Sequence, residues 1–203
     1  MWKTKDIPGN IIMIKHCATI IALTLSLAVF GMSDNSNSFT ESDRDIPISR
    51  LKATASSQRK HINKKLFSPA NAIDGRVKTL WTSELKSLKN KGAQWIMLEF
   101  DNTYPVDAVR YYRASKIRPK GREYVNWIGR IQDYEIQVSP DGKSFTTVAS
   151  GKWDKNNLKV QRVSFDAVKA KFVKLIGKTA HWDTVSAEEI RVESPSPPGD
   201  LKK

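Results

Sequence analysis

The feature that most limits the fold of this chain is a succession of short, strand-like segments separated by turn residues. Runs rich in β-branched and aromatic residues occupy 97–100, 160–165 and 172–176, and Asp141-Gly142 is typical of a tight turn between two strands. No long apolar stripe at helical spacing competes with these runs. A chain of about seven or eight such segments predicts an all-β sandwich.

The segment 131–138 shows the pattern most clearly. Polar and apolar residues alternate there, and the even-numbered set is the more apolar for most of its length. Because successive side chains of a strand point to opposite faces, we expect this set to face the core and its partners to face outward. The even set is Gln132, Tyr134, Ile136 and Val138, and the outward set is Ile131, Asp133, Glu135 and Gln137.

The segment from Asn71 to Ser83 contains an Asp-Gly turn with further oxygen donors nearby. Gly75 supplies the positive φ that a tight turn needs, Asp74 adds a carboxylate, and Thr79 adds a hydroxyl. A hard cation such as Ca²⁺ takes about six to eight such oxygens, and backbone carbonyls of the same loop lie within reach. An ordinary hairpin turn is the alternative, because Asp-Gly is common in such turns.

The charge of the chain favours acidic partners. The sequence has 34 basic and 21 acidic residues and a net charge of +13. Residues 1–33 hold only three lysines and one aspartate, so the remaining 31 basic and 20 acidic residues still carry +11. Clusters at 59–65, 86–91 and 116–122 lie in predicted loops, which favours an anionic polysaccharide or an anionic lipid surface over plain solvation. Arginine can pair bidentately with sulfate or carboxylate, whereas lysine acts as a point charge.

The N-terminal region has the form of a secretory signal peptide. A basic pair precedes the apolar run 17–32, and small residues stand at −3 and −1 of a cut after Ser33. Translation starts at Met1 or Met13, and a retained membrane anchor is the alternative to cleavage. We expect a secreted or periplasmic protein, to which nucleic-acid binding is poorly suited despite the charge.

The expected regions are a signal peptide (1–33), a flexible lead-in (34–47), one domain (48–193) and a disordered Pro-rich tail (194–203).

Catalytic motifs are missing from the sequence. It has no Gly-x-Ser-x-Gly, no His-Glu-x-x-His and no phosphate-binding loop, and its one cysteine, Cys17, lies in the signal peptide. Asp133 and Glu135 could be an acid pair, but we interpret them as an outer, solvated strand face. A glycosidase also needs a deep cleft built from more chain than this. The sequence therefore predicts a protein that is not an enzyme.

Several blocks in one order carry a family resemblance. They closely resemble the discoidin domain, also called the coagulation-factor type C domain, which includes many galactose-binding carbohydrate-binding modules of secreted bacterial proteins. The resemblance runs from about Ser49 to Glu193 and implies a jelly-roll β-sandwich of the galactose-binding type. The blocks are 71–83, 94–100, 106–113, 131–145, 170–176 and 186–192.

The resemblance implies a structural Ca²⁺ between the Asp-Gly loop and the last strand. The side chains of Asp74, Thr79 and Glu189 would be ligands, together with the carbonyls of Asn71, Arg76 and Glu188. The family often has Asn or Asp where this chain has Arg76, and a guanidinium there would lower the affinity for a dication. The same loops closed by hydrogen bonds alone are the alternative.

The resemblance also implies a glycan site on loops at one end of the sandwich. Trp182 would be the stacking platform and Arg113 the polar anchor, with Asn126, His61 and His181 as further candidates. Asn126 is separated from Gly129 by Trp127 and Ile128, unlike the family's turn. The alternatives are Trp182 as a packed residue, Arg113 as a solvated or paired charge, and His61 as a plain surface residue.

The function that we expect from the sequence is that of a monomeric, non-catalytic module that binds a galactose-type or anionic (sulfated or uronic) glycan. A cell-adhesion, protein-binding or membrane-surface module stays open. Exposed apolar residues at a loop tip would indicate a module that binds the membrane surface, and Trp127-Ile128 is the only candidate for such residues in the sequence.

Overall fold

Antiparallel strands make up most of the part of the chain that the structure, a computed structural model, describes: residues 39, 42–77, 79–113, 129–154, 156–157 and 159–196. Within these ranges no helix has the length and apolar character of a membrane span. The strands are β1 (Leu51–Ala55), β2 (Trp81–Thr82), β3 (Gln94–Tyr112), β4 (Asp133–Ser139), β5 (Thr146–Lys152), β6 (Gln161–Gly177), β7 (Ser186–Ala187) and β8 (Glu189–Glu193), and the helix is α1 (Ser87–Lys91).

Two long strands, β3 and β6, belong to both layers of the sandwich. The first part of β3 pairs with β1 and with the second part of β6, giving the order β1-β3-β6-β4-β5. The second part of β3 pairs with the first part of β6 and with β8. The register of β3 against β6 shifts between Glu99 and Tyr104 and again between Val106 and Ala108. Such irregularities bend a strand pair, so β3 and β6 can cross from one layer to the other. The expected all-β jelly-roll sandwich is confirmed.

One apolar core lies between the layers. Alternate residues of β3 are buried before and after the bend, as the two-residue period of a strand requires. Trp81 from the short β2–β7 pair is fully buried, and its indole N–H donates to the Ser57 carbonyl at 3.0 Å. Buried side chains from both layers form one contiguous cluster. Its larger members include Ile96, Leu98, Phe100, Val109, Tyr111, Ile136, Val138, Val173, Leu175, Ile190 and Val192.

Residues 42–47, which the sequence assigned to a flexible lead-in, are part of the folded domain. Ile46 is fully buried, and its N–H donates to the Val192 carbonyl at 2.9 Å. Asp45 forms an antiparallel bridge with Glu193. The buried Ser194, which was assigned to the tail, donates its N–H to the Arg44 carbonyl. The ordered domain therefore begins by residue 42 and includes Ser194, because one apolar side chain and a backbone ladder hold this segment to β8.

A buried ion-pair network fixes the same edge. Glu193, with 5% of its side chain exposed, lies within 3.6 Å of a nitrogen of each of three arginines: Arg44, Arg110 and Arg162. Arg110 also pairs with Asp45, and Arg44 pairs with Asp107. Burial alone would raise the pKa of Glu193, but the hydrogen bonds and charge of Arg162, with the charges of Arg110 and Arg44, outweigh it and lower the pKa.

Candidate functional site

An exposed tryptophan stands on the loop before β7. The short 3₁₀ turn His181–Asp183 carries Trp182, whose side chain is 69% exposed, although large aromatic side chains are usually buried. Trp182 (φ 65°) and Asp183 (φ 52°) both have left-handed backbone conformations. Bulky residues adopt this region only at a cost, so the surrounding structure must impose it.

Backbone hydrogen bonds hold this loop on both sides. Gly129 N–H donates to the His181 carbonyl at 3.0 Å, and His181 N–H donates to the Arg130 carbonyl at 3.1 Å. On the other side, Val185 N–H donates to the Ser83 hydroxyl oxygen at 2.8 Å. Only the tip of the loop is therefore left to present the indole ring.

Gly129 is required at this junction. It has φ 83°, and a Cβ built on it would lie 2.4 Å from Oγ of Ser186 and 2.7 Å from the backbone nitrogen of Ser186. Any side chain at Gly129 would push the strand β7 away from the loop. A conformational need and a close approach therefore both select glycine here.

Arg113, the polar anchor that the resemblance implies, lies just after β3. Its side chain is buried, with 4% of the residue exposed. Nη1 donates to the carbonyls of Asp154 and Asn157, and Nη2 donates to the carbonyl of Ile131 at 3.3 Å. Burial lowers the pKa of Arg113. In this arrangement the guanidinium ties Asp154 and Asn157 to Ile131, two residues before β4.

Arg113 and Trp182 nevertheless lie at one end of the sandwich. Ile131, which accepts from Arg113, forms an antiparallel bridge with Ala180, two residues before Trp182. A second buried arginine, Arg130, lies at this end, and burial lowers its pKa as well. Burial raises the pKa of the neighbouring Tyr111 to about 12, so its hydroxyl stays protonated and donates to the Ser186 carbonyl at 2.7 Å. Two buried arginines therefore lie at this end, together with the buried Glu188, whose charge acts on Arg130.

The other three candidates of the predicted glycan site differ in what the structure says of them. The His181 ring lies beside Trp182 in an edge-on arrangement, with ring centroids 6.0 Å apart. Asn126 lies outside the described residues, as do Trp127 and Ile128. His61 is exposed, and its Nδ1 accepts from the Asn63 N–H at 3.1 Å within its own loop. Its ring also contacts the edge of Phe67. Nothing among the described contacts joins His61 to Trp182.

The Asp-Gly loop and the last strand lie against each other at Gly75 and Glu189. The Thr79 hydroxyl lies 2.9 Å from both Oδ1 of Asp74 and the Arg76 carbonyl oxygen. Gly75 N–H donates to Oε2 of Glu189 at 3.2 Å, so a carboxylate from β8 reaches the loop. Several hard oxygens thus converge around Gly75.

Two features limit how this loop could hold a cation. Nε of the buried Arg191 lies 2.8 Å from Oε1 of Glu189, so a guanidinium already neutralises that carboxylate. Among the described residues no group of three or more His, Cys, Asp or Glu side chains is placed to hold a metal ion. Asn71 uses its side-chain amide to donate to three carbonyls, and Glu188 N–H donates to the Tyr112 carbonyl. A cation here would depend on hydroxyl and carbonyl oxygens as much as on carboxylates.

Two surface features were missed by the sequence analysis. Ile62 is fully exposed between Lys60 and Lys64, and only the tertiary structure shows that no residue of the described part of the chain covers it. An open cleft lies between the 59–60 segment and α1; the charge clusters at 59–65 and 86–91 were its one sequence signal. Sequence separation hid the fact that these two clusters face each other.

Comparisons with known proteins agree with this architecture. A family 32 module of Clostridium perfringens, CpGH89CBM32-5 in complex with GalNAc-β-1,3-galactose, is 27% identical, with a TM-score of 0.61 over 74% of this chain and 99% of that one. CBM32-3 from a family 31 glycoside hydrolase of the same organism is 20% identical, with a TM-score of 0.63 over 77% and 99% of the chains. The NanJ family 32 module, also of C. perfringens and bound to galactose, is 23% identical, with a TM-score of 0.56 over 73% and 97%. The F5/8 type C domain model matches residues 52–190, so the chain belongs to the F5/8 type C (discoidin) domain family.

Proposed function

We propose that this protein is a non-catalytic module that binds a glycan at the loop end presenting Trp182. The observation that carries the proposal is Trp182 itself, 69% exposed on a backbone that two consecutive left-handed residues hold in place. Strain of this kind persists where the surrounding structure over-determines it, and it is often found at ligand sites. An exposed indole face suits the C–H face of a sugar ring.

A galactose-type ligand is the class that we propose first. The C. perfringens module that shares 27% of its sequence with this chain is described in complex with GalNAc-β-1,3-galactose. The net charge of +11 after residue 33 adds a preference for glycans that carry sulfate or carboxylate groups. A glycan array probed with the chain from residue 34 onward, at low and at moderate salt, tests both parts. Absence of binding to all galactosides and to all acidic glycans would refute the proposal.

We also propose a structural Ca²⁺ in the Asp-Gly loop. Asp74, Thr79, the Arg76 carbonyl and Glu189 supply hard oxygens of the kind that Ca²⁺ prefers. When bound, the ion would crosslink the loop to β8. The Arg191 guanidinium beside Glu189 opposes a dication, so we expect weak affinity.

Chelation should lower the melting temperature of the domain. An ion at a hundredfold excess over its Kd adds about 2.7 kcal/mol to the free energy of unfolding, and this is lost when the ion is removed. Asp74→Ala should remove the sensitivity to chelator, as followed by thermal denaturation with EDTA or added Ca²⁺.

The matched control is Asp141→Ala in the other Asp-Gly turn. Oδ1 of Asp141 accepts from the N–H groups of Lys143 and Ser144, so this variant loses turn stability. It should keep the full response to EDTA. If neither EDTA nor added Ca²⁺ changes the melting temperature of the wild-type protein, the Ca²⁺ site is refuted.

We propose export to the periplasm or the medium, with cleavage after Ser33. The basic pair, the apolar run and the small residues at the cut support it. Mass spectrometry of the exported protein should give an N-terminus near Asp34. A mature protein that still begins at Met1 or Met13 would contradict cleavage.

A second candidate function is binding to an anionic membrane surface. Ile62 is fully exposed at the tip of the 60–65 loop, and Lys60, Lys64 and Lys65 flank it. An apolar side chain surrounded by lysines could enter the headgroup region while the charges attract anionic lipids. Sedimentation with phosphatidylserine vesicles distinguishes this function from glycan binding. If Ile62→Ser binds the vesicles as well as the wild-type protein does, this loop is not the membrane-binding element.

A further inference from the structure

A concave surface lies beside the Trp182 loop, separate from the exposed indole ring. A cleft of about 480 Å³ opens between the 59–60 segment and α1, and it is lined by Arg59, Lys60, Glu84, Leu85, Ser87, Asn90 and Lys91. Its volume falls within the range of small-ligand pockets, about 300–1000 Å³. Six of its seven lining residues are polar or charged, so the cleft suits a polar or ionic group.

The guanidinium N–H groups of Arg59 are not used in hydrogen bonds within the described part of the chain. Its guanidinium lies over the Phe67 ring, 5.0 Å from the ring centroid. Among the described residues it has neither an ion pair nor a side-chain hydrogen bond, and its backbone N–H is fixed to the Thr82 carbonyl at 2.8 Å. Stacking on an aromatic face leaves the N–H edge of a guanidinium available. The backbone bond and Phe67 together hold that edge in position before a ligand arrives.

The other charges of the cleft leave it positive. Glu84 accepts from Lys91 and lies 4.0 Å from the exposed Lys60. The hydrogen bond from Lys91 holds the pKa of Glu84 below its usual value, so this carboxylate stays ionised near neutral pH. One anion thus faces three cations, which include Arg59. An oxyanion that enters the cleft would meet a net positive wall.

The cleft and the Trp182 loop share one turn. The Ser83 hydroxyl accepts from Val185 N–H, and it also lies 2.8 Å from the hydroxyl of the buried Ser87 in the cleft lining. Lys86 N–H donates to the Thr184 hydroxyl at 3.1 Å. The turn 83–87 therefore separates the two surfaces and fixes one against the other. A glycan of more than one ring could contact both.

We propose that this cleft is an anion-binding subsite that reads a sulfate ester or a uronate carboxylate on a sugar next to the one that stacks on Trp182. The subsite rests on the proposed glycan-binding function and states where its preference for acidic glycans resides. Arg59 pairs with the oxyanion through two parallel N–H groups, and Lys91 and Lys60 add charge. Glu84 reduces the preference for acidic ligands, because its carboxylate repels the anion while it holds Lys91.

The test compares the affinity of each variant for one neutral and two acidic ligands by isothermal titration calorimetry. The probes are a neutral β-galactosyl disaccharide, its sulfated form, and a form that carries a uronic acid at the neighbouring ring. Arg59→Gln should lower the ratio of acidic to neutral affinity by about tenfold, which is typical of a lost charge-assisted hydrogen bond. Glu84→Gln should raise the same ratio. If Arg59→Gln loses affinity for only one of the acidic probes, that probe shows whether the cleft binds sulfate or carboxylate.

The matched control is Lys143→Gln. Lys143 is an exposed cation of the β4–β5 turn with no ion pair among the described residues. This variant removes one positive charge at a site away from the cleft. The ratio of acidic to neutral affinity should therefore stay within about twofold of the wild-type value if the cleft, and not the electrostatic field of the whole domain, selects the ligand. Equal losses for Arg59→Gln and Lys143→Gln would overturn the subsite, as would a wild-type protein that binds neutral and acidic probes alike; both results leave the glycan function intact. A wild-type protein that binds none of the probes would overturn the function and the subsite together.

Discussion

Trp182→Ala should abolish glycan binding while the melting temperature stays nearly unchanged. An aromatic residue that forms the centre of a binding surface contributes about 2–4 kcal/mol, which is about a 30-fold to 1000-fold increase in Kd. The side chain is 69% exposed, so its removal takes little from the core. The affinity for the best glycan on the array, measured by calorimetry with a parallel thermal melt, gives both quantities.

Trp95→Ala is the matched control for this variant. Trp95 is half-buried on the outward face of β3, where Lys174 Nζ lies 5.3 Å from its ring centroid. It faces outward from the sheet opposite Ile176 and has no ring contact with Trp182 among the described residues, so its loss should leave the glycan affinity unchanged. If Trp182→Ala instead lowers the melting temperature strongly, the indole is a packing residue and the ligand surface lies elsewhere. If Trp95→Ala abolishes binding, the sheet face is the platform.

Glu193→Gln should lower the free energy of unfolding by about 3 kcal/mol. Removing one partner of a buried ion pair costs about 3–5 kcal/mol, and we expect the lower end here because Arg110 and Arg44 keep Asp45 and Asp107 as partners. Here one carboxylate faces Arg44, Arg110 and Arg162, and 5% of its side chain is exposed. The amide keeps the shape of the side chain but not its charge. Chemical denaturation of both proteins at neutral pH measures the difference.

The pH dependence of unfolding provides a second measurement on the same group. The folded-state pKa of Glu193 is lowered from 4.5, so the folded protein binds this proton less readily than the unfolded chain does. The stabilisation is therefore fully present above pH 4.5 and falls as pH decreases through the folded-state pKa. Glu193→Gln should remove this part of the acid sensitivity. Glu99→Gln, on the outward face of β3, is the control and should change the stability by less than about 0.5 kcal/mol.

The sequence predicts the strand faces well where a strand is regular. Ile136 and Val138 are buried in β4, as their alternation predicts. Ile131, which the same alternation placed outward, is fully buried. It precedes β4 and forms a bridge with Ala180 instead of continuing the strand, so the two-residue period does not reach it. Periodicity carries information only as far as the strand itself.

The candidate sites show a similar limit. The resemblance implies that Asp74, Thr79 and Glu189 share one cation; the structure shows Thr79 bonded to Asp74 and Glu189 bonded to the Gly75 N–H, and the cation itself stays a prediction. The inward turn of Arg113 could not be predicted, because it depends on carbonyls of the 153–157 loop that lie about 40 residues away. The cleft at Arg59 depends likewise on a contact between distant loops. Long-range contacts of this kind leave no local pattern in a sequence.

The most direct test of the account is a titration of the ¹⁵N-labelled chain from residue 34 onward, followed at the indole N–H resonances. Five tryptophans remain in that chain: Trp81, Trp95, Trp127, Trp153 and Trp182. With GalNAc-β-1,3-galactose as ligand, we expect the Trp182 resonance to shift and saturate, while Trp81 and Trp153, in the core, and Trp95, on the sheet face, stay in place. A saturating shift at Trp95 with Trp182 unmoved, or no shift at any indole up to millimolar ligand, would contradict a galactose-type glycan site at the Trp182 loop.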